Sequence, residues 1–167
     1  ASSTRNQIKT KKGGANNSRL LCVVTTKQGQ RKRYRLPNEN DFSAIKRAKE
    51  ELKKIKAQNL NGLSSIPNEP LPVPHNNKSG TLGFGVQGYG IEKWVDLFTD
   101  RQLVSIVTLI NIVNRADIKG EAKHVIQTLL GIVVDKVVAQ FSSLNKWQSK
   151  GEFCVGIFDK QVIQMIW

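Results

Sequence analysis

The chain has 167 residues, 26 Lys plus Arg against 13 Asp plus Glu, and 39% hydrophobic residues; this fits one globular domain, or one domain with a polar arm, and excludes two full domains. Its two cysteines, Cys22 and Cys154, lie far apart with no second Cys or His beside either, which argues against a zinc site and a secreted disulfide scaffold. No apolar run reaches the roughly 20 residues needed to cross a bilayer and no signal peptide opens the chain, so the expected location is cytoplasmic, with no membrane partner.

Charge divides the chain unequally. Positions 1–60 hold 16 of the 26 basic residues and 4 of the 13 acidic ones, leaving 10 and 9 for positions 61–167. Such a density of cations suits phosphate neutralisation, because each Lys or Arg placed on a phosphate releases condensed counterions. A basic arm can also be merely solvated, or meet an acidic protein surface.

In chain order, residues 1–18 are rich in Ser, Asn, Gly and Lys and read as a disordered or loop-like arm. Residues 19–58 read as a basic hairpin and a helix. Arg19 to Thr26 and Arg31 to Leu36 are the strands; their turn, around Gln28 and Gly29, is flanked by Lys27, Arg31, Lys32, Arg33 and Arg35. Asn40 or Asp41 is expected to cap a helix reaching Lys56, with Phe42, Ile45, Ala48, Leu52 and Ile55 at helical spacing and Lys46, Arg47, Lys49, Lys53, Lys54 and Lys56 on its other face.

Residues 59–98 read as an extended connector: Pro67, Pro70, Pro72 and Pro74 fall in it, followed by GFGVQGYG. Residues 99–167 read as a helical core region. Thr99 caps a helix from Asp100 to Arg115 that is apolar nearly all round and therefore expected to be buried. After a break at Asp117 to Gly120, a second helix is expected from Glu121 to Leu144, antiparallel to the first. Trp147 to Gly156 reads as a loop or short strand, and Asp159 to Trp167 as the start of a further helix that is expected to continue in a longer parent. The fold class is α+β, mostly helical.

No self-sufficient active site emerges. Gly83, Gly85 and Gly88 match GxGxxG, but a proline-rich connector precedes them and the next helix is expected only at Asp100, which is the wrong context for dinucleotide binding. His75 and His124 lack acidic or cysteine partners at metal spacing, and neither a nucleophile elbow nor a phosphate loop is present. Phe84, Gln87, Tyr89, Trp94, Phe98, Arg101 and Gln102 form a polar and aromatic array. It reads either as a small core beneath the connector or as a surface that stacks on a base and hydrogen-bonds its edge.

The runs IPNEPLPVP and GTLGFGVQGYGIEKWVDLFTDRQLVSIVTLINIV, with SSLNKWQSKGEFCVGIFDKQVIQMIW further on, resemble the central part of the large adenine-specific DNA methylases that contain a zinc ribbon, several of them associated with phage defence. The matched positions include Pro67, Glu69, Pro70, Leu71, Phe84, Gln87, Tyr89, Trp94, Arg101 and Gln102, and the resemblance spans roughly residues 19–167. Gly85 departs from it, standing where the family pattern has Arg. The family's glycine-rich cofactor motif, its (D/N)PPY motif and its zinc-ribbon cysteines do not occur in this sequence.

The resemblance implies methyl transfer from S-adenosylmethionine to the exocyclic amine of adenine in DNA, with S-adenosylmethionine held by the parent enzyme and no cofactor in this chain. On this reading the chain is the DNA-engaging or target-recognition segment, inactive alone, and its partners are DNA and the remaining methyltransferase segments or subunits. Lys27, Arg31, Lys32, Arg33, Arg35, Lys46 and Lys53 would hold DNA, while Gln87, Tyr89, Arg101 and Gln102 would shape the target site. The alternatives are a stand-alone nucleic-acid-binding module and an assembly element of a larger complex.

Overall fold

The computed structural model describes Ala15 and residues 18–60, 63–72 and 86–156; of Asn59, Leu60, Leu63, Gly88 and Tyr89 only the backbone is described. The expected arm thus falls almost wholly outside the described residues, as do Phe84, His75 and the helix expected from Asp159.

A hairpin comes first, β1 (Val23–Thr25) against β2 (Arg33–Arg35), antiparallel with Val23 opposite Arg35, Val24 opposite Tyr34 and Thr25 opposite Arg33. Its turn closes through the Gln30 N–H donating to the Lys27 carbonyl at 3.0 Å, with Gly29 at φ 73°, a conformation that costs glycine nothing.

Helix α1 (Glu39–Lys56) follows. It starts before the expected cap, because Asn38 and Asp41 form a reciprocal box: Asn38 Oδ1 accepts from the Asn40 and Asp41 amides, and Asp41 Oδ2 accepts from the Asn38 amide at 2.8 Å. Acidic residues in its first turn and Lys53, Lys54 and Lys56 in its last complement the helix dipole.

The connector is more structured than its prolines suggest. It opens with a small hairpin, β3 (Asn59–Leu60) and β4 (Leu63–Ser64), and contains two 3₁₀ turns, Val86–Tyr89 and Trp94–Leu97. Pro70 pairs with Lys93 in an antiparallel bridge whose bonds run from the Leu71 amide to the Glu92 carbonyl and from the Trp94 amide to the Glu69 carbonyl. The proline's missing N–H is therefore never needed.

Helix α2 (Asp100–Arg115) is capped by Thr99 as the sequence predicts, and helix α3 (Lys123–Gln140) packs on it. The Leu97 carbonyl, just before α2, accepts from the Ser143 amide and the Ser142 and Ser143 hydroxyls, just after α3. The end of one helix meets the start of the other, so the pair is antiparallel as expected. A last hairpin, β5 (Lys146–Gln148) with β6 (Phe153–Val155), places Trp147 opposite Cys154. The fold is α+β and mostly helical. Among the described residues, no helix is long and apolar enough to cross a membrane.

The core lies where α1, the connector and α2 meet. Leu52 and Ile55 of α1 and Leu103, Ile106 and Val107 of α2 enclose Leu71, Val86, Ile91 and Leu97, the four most deeply buried large side chains, all from the connector. This shifts the expected centre of the molecule. Helix α2 is buried on one stripe only, leaving Ile112 62% exposed, and α3 turns Val125, Leu129, Ile132 and Val133 outward.

Candidate nucleic-acid interface

Strand alternation sorts the cations of the first hairpin onto two faces. Tyr34 and its neighbour Lys32 face the last hairpin. Lys32 Nζ donates to the Glu152 carbonyl and lies 5.6 Å from the centre of the Trp147 ring. Tyr34 meets Trp147 edge to face and donates its hydroxyl to Glu152 Oε1. Arg33 and Arg35 lie on the opposite face.

Arg35 has its own partner. Its guanidinium grips Asp41 bidentately, Nη1 to Oδ2 at 2.6 Å and Nη2 to Oδ1 at 2.9 Å, tying β2 to the start of α1. The Arg35 contact first, and then the Asn38 amide, hold the Asp41 carboxyl down at about 2; Arg101 adds a smaller electrostatic pull in the same direction. Lys27, Arg31 and Arg33 are exposed and form no ion pair or hydrogen bond through their side chains with any described residue. Of the five hairpin cations expected to contact phosphate, the structure therefore presents three outward and uses two internally.

On α1 the cations also divide. At 100° per residue, Phe42, Lys46, Lys49, Lys53 and Lys56 fall within an arc of about 80°. They form a stripe beside the buried edge of Leu52, whereas Lys54 is on another side, paired with Glu51 at 2.9 Å. Lys46 and Lys53 thus belong to one ridge, about 15 Å long from Lys46 to Lys56.

Of the remaining expected site residues, Arg101 and Gln102 share one groove. Arg101, exposed on the first turn of α2, lines a groove that Lys49, Lys53 and Lys56 also line. Gln102 caps the same helix: its Oε1 accepts from the Thr99 amide at 2.8 Å and the Thr99 hydroxyl at 3.0 Å. Gln87 donates from Nε2 to the Pro72 carbonyl at 2.9 Å. The side chain of Tyr89 lies outside the described residues. Gln102 and Gln87 each spend a side-chain bond on nearby residues, and Gln102 lines the same groove as Arg101. Phe98, another member of the expected array, is a core residue.

Lys49 and Lys56, already expected on the cationic face of this helix, complete the α1 ridge at a 3-4-3 spacing. Phe141, exposed at the end of α3 and on the wall of the same groove, gave no local sign of its proximity to α1. Gly88, last of the three glycines in the GxGxxG pattern, sits in a 3₁₀ turn and not at the opening of a helix. Among the described residues no cluster of three or more His, Cys, Asp or Glu could hold a metal ion. Comparisons with protein-family models, with curated proteins and with solved structures find no match for this chain.

Proposed function

We propose that this chain engages DNA through its first hairpin and the cationic ridge of α1. The observation that carries this reading is the segregation of the cations: Lys27, Arg31 and Arg33 point outward while Lys32 and Arg35 brace the hairpin against the last hairpin and α1. A positive ribbon held at two points keeps its cations ordered before contact, which lowers the entropic cost of binding. Phosphate contacts of this kind supply affinity and register and no sequence readout.

The chemistry served is, in our reading, methylation of adenine in DNA by an S-adenosylmethionine-dependent enzyme, of which this chain supplies the DNA-engaging segment. That part rests on the spaced residues from Pro67 to Trp167 that resemble the zinc-ribbon DNA methylases. Lacking a cofactor motif and a (D/N)PPY motif, the chain transfers no methyl group by itself. The outward apolar residues of α3 favour an accompanying role as an assembly element that packs against the remaining methyltransferase segments.

Fluorescence anisotropy with a labelled 20-base-pair duplex at low and high salt tests the DNA reading. Salt-sensitive binding that weakens in the Lys27→Ala/Arg31→Ala/Arg33→Ala variant is expected. Absence of binding at low salt would remove the DNA reading and leave the assembly role.

A further inference from the structure

The groove between α1 and the start of α2 has a composition that the hairpin lacks. Its volume is about 810 Å³, within the range of sites that enclose small ligands. Arg19, Lys49, Lys53, Lys56 and Arg101 stand on its walls against a single carboxylate, Asp100. Its apolar surface comes from Leu20, Ile45, Leu52 and the half-exposed ring of Phe141.

Phosphate alone would not need an apolar wall, and an apolar ligand would not need five cations. The two chemistries occur together in a single strand of nucleic acid, whose backbone is anionic and whose unpaired bases offer flat apolar faces. Single-strand sites in general combine a positive groove with an aromatic platform.

We propose that this groove binds unpaired nucleotides of a DNA strand, with the backbone on Lys49, Lys53 and Arg101 and a base stacked on Phe141. The inference rests on the DNA reading above but assigns it a second, separate site: the hairpin meets duplex phosphates and the groove receives one strand. The ridge continues past the groove to Lys46 and exposed Phe42, which gives the strand an exit along α1.

The test uses the full chain, a fluorescein-labelled single-stranded DNA 8-mer and the labelled 20-base-pair duplex. Arg101→Ala is expected to lower the salt slope for the 8-mer by about 0.7, one phosphate contact, and to leave duplex binding nearly unchanged. Phe141→Ala is expected to weaken the 8-mer about tenfold with an unaltered slope, since stacking carries no counterion release. Irradiation of a 5-iodouracil-substituted 8-mer should attach it to the peptide containing Phe141. Unchanged 8-mer affinity in both variants, or crosslinks confined to the hairpin, would overturn the groove assignment while the duplex reading stands. Wild-type chain that binds neither probe would overturn both.

Discussion

Tyr34 and Trp147 meet edge to face, 6.1 Å between ring centroids and 85° between planes, and so join the first and last hairpins of the described chain. The Tyr34 hydroxyl donates to Glu152 at 3.1 Å and Lys32 sits over the same indole. Each hairpin alone has strands of three residues, too few to persist in water without packing. Their mutual contact supplies that packing. The Tyr34 phenol accordingly has its pKa raised, by desolvation first and by its bond to Glu152 second.

Trp147→Ala should therefore loosen both hairpins together. The aromatic pair and the cation contact are worth about 1–2 kcal/mol combined, and hydrogen exchange should accelerate in residues 23–35 as well as 146–155. Exchange confined to the last hairpin would mean that the first stands without it.

Within the first hairpin, neighbouring cations should behave unequally towards duplex DNA. Arg31→Ala/Arg33→Ala should reduce the salt slope by about 1.8, two phosphates at about 0.9 each. Lys32→Ala should leave the slope nearly unchanged, because that ammonium is occupied by Glu152 and Trp147. Titration of the binding constant against salt for each variant checks the difference.

The Asp41–Arg35 pair predicts a response to acid. Asp41 has a folded pKa of about 2, below its unfolded value near 4, so its contribution is complete above pH ~4 and is lost as the pH falls through about 2. Thermal unfolding between pH 5 and 2 should show a steeper acid loss for the native chain than for Asp41→Asn, which lacks that titration. Parallel curves would place the acid sensitivity elsewhere.

Truncating the core should be most costly in the connector. Ile91 has no exposed surface and lies among the residues that α1 and α2 enclose; Ile91→Ala should cost about 2–5 kcal/mol in denaturant unfolding. Leu129→Ala, on the outward side of α3, should cost well under half as much in the isolated chain.

These contrasts mark how far the sequence could be read. Local signals worked: the hairpin turn at Gly29, the α1 periodicity and the Thr99 cap depend on residues within four positions of each other. The α1 start moved to Asn38 because the cap is decided by which carboxylate closes the box, and Asp41 serves at its third position as well as it would at the first. Burial was misjudged where it depends on distant partners. An apolar pattern around α2 cannot tell which side the connector will cover, and four prolines concealed the segment that contributes Leu71 and Ile91 to the core. Nothing near Lys32 distinguishes it from Arg31 or Arg33; its partner Glu152 is 120 positions away. The groove had the same character, since Lys53 and Arg101 come together only after α1 and α2 pack.

The bond from Gln87 to Pro72 has one more consequence. It closes the chain at the two edges of the segment 73–85, and the adjacent Pro70–Lys93 bridge holds the same gate from the core side. Pro72 and Gln87 stand 15 positions apart in sequence, so one side-chain bond and one backbone bridge fix the separation of two distant points of the chain beside the core.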